Sequence, residues 1–196
     1  MPLTRLLTTL FACSALLLGA CSQKDSPSAD TSKPAKQEVS VQAVATQAKG
    51  FTAGSFMSAH TVYVFFDPQC PHCGHLWQAS IPLHKKIKFV WVPVAWINAS
   101  SLPQGSALLT ATNPVDLMTE HEASLLSGKG GISAPASITP EIEKSIKANT
   151  ALLNSFGAES VPFVVAKNAR TGQTVSRNGA LSTAALAEFV GLDATP

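Results

Sequence analysis

Two cysteines separated by two residues, Cys70 and Cys73, are the side chains of this sequence best suited to carry out chemistry. An apolar run over residues 60–66, typical of a buried strand, precedes them, and a helical pattern follows. Such a pair at the start of a helix is a redox-active dithiol unless the thiols bind a metal ion. Because the first N–H groups of a helix lack partners and its dipole is positive there, Cys70 should ionise more readily than a free cysteine.

The neighbours of the two cysteines favour the same chemistry. Pro71 suits the first helical position, where its missing N–H removes no hydrogen bond. His72 can place hydrogen bonds or positive charge near the Cys70 sulfur. We therefore expect an exposed Cys70 that reacts with the substrate and a more buried Cys73 that resolves the mixed disulfide. A stabilised Cys70 thiolate would make the disulfide a stronger oxidant.

Other roles for these residues can be weighed against redox chemistry. A structural disulfide across so short a loop would stabilise the fold very little. The dense set of Cys70, His72, Cys73 and His75 keeps a metal-carrier function open, although no second Cys-x-x-Cys or His pair follows. Haem attachment would require a histidine directly after the second cysteine, and Gly74 stands there.

The N-terminal stretch resembles the signal peptide of a bacterial lipoprotein. A short basic region ending at Arg5 precedes an apolar stretch over residues 6–18, which is too short to span a membrane comfortably. Leu18-Gly19-Ala20-Cys21 then resembles a lipobox. We predict a signal peptide over residues 1–20, a lipid anchor on Cys21 and export to the periplasm. Ser22 favours the outer membrane. Cys70 and Cys73 would then be the remaining thiols in an oxidising compartment.

The composition points to one globular domain behind a tether. Hydrophobic residues make up 45% and charged residues 13% of the 196 residues, and the net charge is +2 without a Lys/Arg block, so nothing indicates a nucleic-acid partner. Residues 22–36 are polar and lack any large apolar side chain, and residues 37–49 have a short helical pattern. We therefore assign residues 21–50 to the anchor and tether and residues 51–196 to the domain.

The elements of the domain alternate between strand and helix, which indicates the α/β class. Their predicted order is β-α-β, a helical insert over about residues 100–157, and β-β-α. The predicted strands cover residues 60–66, 87–95, 162–166 and 173–176. Residues 98–105 have the composition of a loop, and the insert helices begin at Pro114 and Pro140. Ser182 should cap the last helix.

Several other side chains receive structural roles. Asp67 precedes a proline, and we expect a turn residue there rather than an acid that takes part in catalysis. The tryptophans are predicted to lie in the core: Trp77, Trp91 and Trp96. Three histidines without a supporting cluster are predicted to lie at the surface or at helix ends: His60, His84 and His121.

Residues 62–77, in which Asp67-Pro68 precedes Cys-Pro-His-Cys, resemble the active-site segment of the Dsb thiol–disulfide oxidoreductases of the bacterial periplasm. The similarity is greatest to the DsbG/DsbC branch, and it extends over about residues 60–192. It implies a thioredoxin-like fold, a redox-active disulfide without any further cofactor, periplasmic substrate proteins and a membrane partner that resets the dithiol. It also implies that Val161-Pro162 is the family's cis-proline dipeptide, packed beside the dithiol and hydrogen-bonding bound substrate.

Two departures from that branch affect the expected function. The stretch from residue 22 to residue 50 is too short and too polar to be the branch's N-terminal dimerisation domain, so we expect a monomer. The dipeptide Pro71-His72 and the valine before Pro162 resemble the oxidase DsbA. Both departures favour a disulfide donor. The alternatives are a reductase or isomerase of oxidised or sulfenylated cysteines and, outside the enzymes, a metallochaperone.

Overall fold

The computed structural model describes residues 36–135 and 137–193, and the predicted signal peptide and the predicted lipidation site Cys21 lie outside them. The described residues form six α-helices, five strands and a 3-10 turn, Ile81–Leu83. The strands are β1 Phe51–Gly54, β2 Thr61–Phe66, β3 Lys88–Pro93, β4 Phe163–Lys167 and β5 Thr174–Asn178. The helices are α1 Val41–Gln47, α2 Pro71–Ser80, α3 Ser101–Thr110, α4 Pro114–Leu126, α5 Pro140–Ser155 and α6 Thr183–Phe189.

The strands form one mixed sheet in the order β1-β3-β2-β4-β5. Strands β2 and β3 are parallel, and α2 makes the crossover that such a pair needs. The other neighbouring pairs are antiparallel. The central strand β2 therefore leads directly into the cysteine segment, which lies at the carboxyl ends of the parallel strands β2 and β3. The order of elements after residue 60 confirms the predicted α/β arrangement.

Aromatic side chains pack on both faces of the sheet. Successive residues of a strand point to opposite faces. Phe66 contacts Trp91 with ring centroids 5.5 Å apart, and Trp77 of α2 covers Trp91 at 5.1 Å. On the other face Phe65 contacts Phe156, at the end of α5, at 6.2 Å. The contact of Trp77 with Trp91 packs α2, and with it the cysteines, against the strands.

Two elements differ from the sequence-based expectation. Strand β1 was not predicted, because it has only four residues, Phe-Thr-Ala-Gly, and two of them, alanine and glycine, are depleted in strands. Residues 98–105 are not a loop throughout, because α3 begins at Ser101. Pro103 is tolerated in its first turn, where the N–H groups lack helical partners anyway. Gly105 lets α3 approach β3 closely, since a Cβ there would lie 3.2 Å from the Cβ of Pro93. Tertiary packing thus overrides the poor helix propensity of the segment.

The helical section between β3 and β4 consists of α3, α4 and α5. Pro114 and Pro140 each occupy the first helical position, as predicted. Ser182 caps α6 through its side chain, which accepts a hydrogen bond from the Ala185 N–H. No helix in residues 36–135 or 137–193 is long and apolar enough to cross a membrane.

Candidate active site

The cysteines sit at the first turn of α2. Cys70 is the N-cap residue, in an extended conformation, and Pro71 takes the first helical position. The Cys70 N–H donates to the carbonyl of Asp67 at 2.9 Å, which closes the turn before the helix. Both thiols are free in the structure. The prediction that Cys70 is exposed is wrong, because its exposed fraction is only 4%. Cys73 is fully buried.

A segment distant in the sequence contacts Cys70. The Val161–Pro162 peptide bond is cis. The Cys70 Sγ donates to the carbonyl oxygen of Val161 at 3.4 Å. Strand β4, which follows this dipeptide, pairs with β2, which precedes the cysteines, so the sheet itself brings the two segments together. The dipeptide therefore lies beside Cys70.

The pKa values of the two thiols are shifted in opposite directions. A hydrogen bond from the Cys73 side chain lowers the pKa of Cys70 to about 7, with further help from the backbone N–H groups of Cys73 and His72. Burial and the negative charge of Asp67 oppose that shift. Burial raises the pKa of Cys73 well above its usual value, and the hydrogen bond to Cys70 adds to the increase. At neutral pH a large fraction of Cys70 is therefore thiolate while Cys73 is a thiol.

His72 contributes to this contrast through its backbone. Its N–H is one of the groups that stabilise the Cys70 thiolate. Its side chain is exposed on the surface of α2, and its ring centroid lies 6.0 Å from that of His75. A role for the His72 ring in tuning Cys70 stays a prediction. No group of three or more His, Cys, Asp or Glu side chains among the described residues is arranged to hold a metal ion.

Asp67 does more than make a turn. Its side chain is fully buried. One carboxylate oxygen accepts from the Gln69 N–H at 2.8 Å and from the Ser101 hydroxyl at 2.7 Å. The other accepts from the N–H groups of Trp96 at 2.6 Å and Ile97 at 2.9 Å. Asp67 therefore joins the cysteine loop, the segment after β3 and the start of α3.

The same contacts explain the position of Trp96, which was wrongly predicted to be in the core. Because Asp67 binds the backbone of Trp96 and Ile97, their side chains point outward, 38% and 48% exposed. Trp77 and Trp91 are buried, as predicted. The exposed pair stands beside the loop that leads into Cys70.

His121 of α4 also contacts the cysteine loop, and the prediction that it lies at the surface or at a helix end is wrong. The side chain is fully buried. Its Nδ1 accepts from the Ile132 N–H at 3.2 Å, which leaves the proton on Nε2 to donate to the carbonyl of Pro68 at 2.6 Å. Burial lowers the pKa of His121, so the neutral ring fits both bonds.

Glu122, the next residue of α4, was not identified from the sequence. It is 1% exposed, and neither carboxyl oxygen has a hydrogen-bond partner among the described residues. Burial, followed by the negative charge of Cys70, raises its pKa to about 9. The sequence does not predict that Glu122 is buried, because its neighbour Gly74 is distant in the sequence and comes close only through the packing of α4 on α2.

Comparisons with known proteins agree with this geometry. No family model matches the chain. The thiol:disulfide interchange protein DsbG of Pseudomonas aeruginosa is 31% identical over 133 residues, which cover 66% of this chain and 50% of that protein. DsbG of Escherichia coli K12 is 31% identical over 105 residues, 53% of this chain and 42% of that protein. The chain therefore spans about half the length of the curated relatives it matches, and these matches confirm the resemblance to Dsb proteins.

Solved structures confirm the fold. A periplasmic thioredoxin-like protein from Salmonella enterica serovar Typhimurium superposes with a TM-score of 0.62 at 16% identity, over 79% of this chain and 97% of that chain. The catalytic domain of Proteus mirabilis ScsC gives a TM-score of 0.58 at 15% identity, over 76% and 95% of the two chains. The thiol–disulfide exchange protein α-DsbA2 from Wolbachia pipientis gives 0.55 at 20% identity, over 72% and 85%. The chain has a thioredoxin-like fold.

Proposed function

We propose that this Dsb-like protein is a thiol–disulfide oxidoreductase that exchanges a Cys70–Cys73 disulfide with the thiols of substrate proteins. The observation that carries the proposal is the contrast between two thiols on one helical turn. The pKa of Cys70 is lowered to about 7 while that of Cys73 is raised. Such a pair has one sulfur suited to attack and departure as a thiolate and one suited to stay protonated.

Exchange would proceed through Cys70. A substrate thiolate attacks the Cys70 sulfur of the oxidised protein, the Cys70–Cys73 bond breaks, and a mixed disulfide forms between substrate and Cys70. A second substrate thiolate then attacks the substrate sulfur and releases Cys70 as a thiolate. The Val161 carbonyl beside the Cys70 sulfur supports a role for Val161-Pro162 in hydrogen-bonding the substrate chain at this point.

We propose that the protein acts mainly as a disulfide donor. In the reductive direction Cys73 must attack the mixed disulfide as a thiolate, and its complete burial opposes that ionisation. Donation instead ends with Cys73 as a buried thiol, which is its favoured state. Reductase or isomerase activity on oxidised or sulfenylated cysteines is the competing direction.

The reduction potential of the Cys70–Cys73 pair tests the direction. It is measured by equilibration with glutathione buffers, followed by alkylation and mass spectrometry, with Cys73→Ser as the variant that cannot form the disulfide. We expect a value on the oxidising side of about −200 mV, since DsbA lies near −120 mV and thioredoxin near −270 mV. A value near that of thioredoxin would overturn the donor assignment.

The acidity of Cys70 tests the exchange chemistry itself. We expect thiolate absorbance of the reduced protein to titrate near pH 7, and this transition should be missing in Cys70→Ser. A transition near pH 8.5, the value of a free cysteine, would contradict the proposal. His72→Ala in the same titration reports whether the ring adds to the effect of the backbone.

We propose that the protein works in the periplasm as a monomer, held to the outer membrane by a lipid on Cys21, with a membrane partner that resets the dithiol. The lipobox-like sequence Leu18-Gly19-Ala20-Cys21 supports the anchor. Membrane fractionation of the wild type and Cys21→Ser tests it, and mass spectrometry of the N-terminal peptide should detect the lipid. Recovery of both proteins in the soluble fraction would contradict the anchor. A dimer in size-exclusion chromatography would contradict the monomer.

A further inference from the structure

We propose that the loop between β1 and β2 docks on the surface of an anionic phospholipid bilayer. Phe56 and Met57, at the tip of this loop, enter the boundary of the acyl chains, and lysines beside the loop contact the headgroups. The inference goes beyond thiol–disulfide exchange, because it concerns a surface at the other end of the sheet from the cysteines. It adds a membrane contact to the proposed lipid on Cys21 and does not depend on that lipid.

The loop presents two large apolar side chains to solvent. Phe56 is 69% exposed and Met57 is 95% exposed, the highest fractions among the large apolar side chains that the structure describes. Apolar groups in such a position contribute nothing to folding, because only their removal from water is favourable. Two adjacent ones at the tip of a loop therefore indicate a surface that is covered by a partner.

Hydrogen bonds fix the loop to the segment that leads into β3. The Ser58 hydroxyl donates to the carbonyl of Lys86 at 2.6 Å. The Lys88 N–H donates to the carbonyl of His60 at 2.9 Å, which closes the end of the loop next to β2. The apolar tip is therefore held in a fixed place beside residues 85–88.

Lysine side chains lie next to this loop. Lys85 is exposed and Lys88 is half-buried at the start of β3. Neither of them forms an ion pair with an acidic side chain that the structure describes. A Cβ at Gly54, the residue before the loop, would lie 3.1 Å from the carbonyl oxygen of His84, so the turn that carries Lys85 packs directly against the loop. The apolar tip and the positive charges thus belong to one surface.

An anionic bilayer is the partner that fits this combination. Its acyl region takes up apolar side chains, and its headgroups attract lysines that lie just above them. The apolar stem of a lysine can lie along the boundary while its ammonium group stays in water. Asp116 of α4, which lines the cleft beside Phe56, carries a charge of the opposite sign and is exposed. Its charge opposes the contact, so its removal should strengthen docking.

The loop and the dithiol lie at opposite ends of β2. Thr61 follows the loop, and Phe66 leads into the cysteine segment. The six residues of this strand span about 20 Å. A protein that is seated on a membrane through the loop therefore holds Cys70 on the side away from the lipid, toward substrate proteins in solution.

The test places a tryptophan at the tip of the loop and measures its contact with lipid. Full-length Phe56→Trp, purified as cells process it, is mixed at low salt with vesicles of phosphatidylglycerol and phosphatidylcholine whose acyl chains carry bromine, which quenches tryptophan at close range. The wild type gives the signal of the native tryptophans. Ile97→Trp is the matched control, because Ile97 is also an exposed apolar residue but lies at the dithiol end. Vesicles of phosphatidylcholine alone show what the anionic headgroups contribute.

We expect the anionic vesicles to quench the added tryptophan of Phe56→Trp, and phosphatidylcholine alone to quench it much less. Ile97→Trp should be quenched no more than the wild type. In the Phe56→Trp background, Asp116→Asn should increase the quenching, because it removes a negative charge beside the tip.

The lysines are tested in the same Phe56→Trp background. Lys85→Gln combined with Lys88→Gln should lower the ratio of docked to undocked protein about 25-fold, which is about fivefold for each lysine. Lys129→Gln combined with Lys144→Gln removes two exposed lysines elsewhere on the surface and should leave the ratio unchanged.

Four results would overturn the proposal. The first is equal quenching of Phe56→Trp and the wild type. The second is quenching that the loss of Lys85 and Lys88 does not alter, because unspecific adsorption of an apolar tip predicts it. The third is equal quenching of Ile97→Trp, which would mean adsorption through no particular face. The fourth is a shift of the tip emission to shorter wavelength as protein concentration rises without vesicles, which would mean that a second copy covers the loop. The rate of mixed-disulfide formation with glutathione tests the exchange activity separately.

Discussion

Replacing Asp67 by asparagine should destabilise the protein and make Cys70 more acidic at the same time. The carboxylate accepts four hydrogen bonds in a fully buried site. Asparagine keeps one oxygen, which can accept from the Trp96 and Ile97 N–H groups. Its NH₂ group then faces Ser101, whose hydroxyl can turn to accept, and the Gln69 N–H is left without an acceptor.

The magnitude follows from these bonds. An unsatisfied buried donor costs about 1–3 kcal/mol, and each hydrogen bond that changes from a charged to a neutral acceptor weakens by about 1 kcal/mol. The expected loss for Asp67→Asn is about 3–5 kcal/mol, and Asp67→Ala should lose more. With a urea m-value of about 2 kcal/mol/M, the unfolding midpoint should fall by about 1.5–2.5 M. Because the charge of Asp67 raises the pKa of Cys70, its removal should lower that pKa below 7.

Urea unfolding followed by circular dichroism measures the first effect, and thiolate absorbance of the reduced protein measures the second. Asp193→Asn is the matched control, because Asp193 is exposed and its substitution should change stability by less than about 0.5 kcal/mol. An Asp67→Asn protein with an unchanged midpoint, or with a higher pKa for Cys70, would refute the reasoning.

Three further predictions concern α4 and the glycine it covers. Burial raises the pKa of Glu122 from 4.5 to about 9, so the folded protein holds a proton that the unfolded chain releases, and stability falls as pH rises through this range. By pH 7 the loss is about 3 kcal/mol relative to pH 4, and urea unfolding of Glu122→Gln across this range should not show it. Gly74→Ala should lower the free energy of unfolding by about 1–3 kcal/mol, because the new methyl group is overpacked against Glu122, and this loss outweighs the roughly 0.5–1 kcal/mol that alanine gains in a helix. Adding Glu122→Ala should recover most of the loss. If the two substitutions are additive instead, the contact is not the cause. Because burial lowers the pKa of His121, the unfolded chain binds a proton at a pH where the folded protein does not, so thermal stability should fall as the pH drops below about 6.5. His121→Gln should reduce this pH dependence of the melting temperature. An equal pH dependence in both proteins would exclude His121 as its source.

The parts of the fold that the sequence predicts are those encoded by local signals. The bulky run before the cysteines, proline at the first position of α2, α4 and α5, and Ser182 at the cap of α6 each fix an element through neighbouring residues. The Cys-Pro-His-Cys spacing likewise places both thiols on one helical turn. These features need no knowledge of distant contacts.

The parts that were missed depend on contacts between distant segments. Helix α3 forms because Gly105 packs on β3, and its composition alone reads as a loop. Trp96 is exposed because Asp67 holds its backbone, whereas its type and its neighbours favour burial. Glu122 has the sequence context of a solvated helix face, and only the gap at Gly74 makes it a buried acid. The hydrophobic pattern of a helix does not show which of its polar residues will pack against a glycine of another helix.

The two consecutive residues His121 and Glu122 reach different parts of the cysteine segment, the Pro68 carbonyl and the space above Gly74. In a chimera this helical section would be exchanged for that of another thioredoxin-fold protein. The Pro68 carbonyl would then lose its hydrogen bond from His121, and the space above Gly74 would no longer be filled by Glu122. The aromatic contacts of Phe66 and Trp77 with Trp91 would survive such a transplant, whereas the contact of Phe65 with Phe156 at the end of α5 would be lost. The inserted helices are therefore not an interchangeable module, and shuffling designs should move α2 and α4 together.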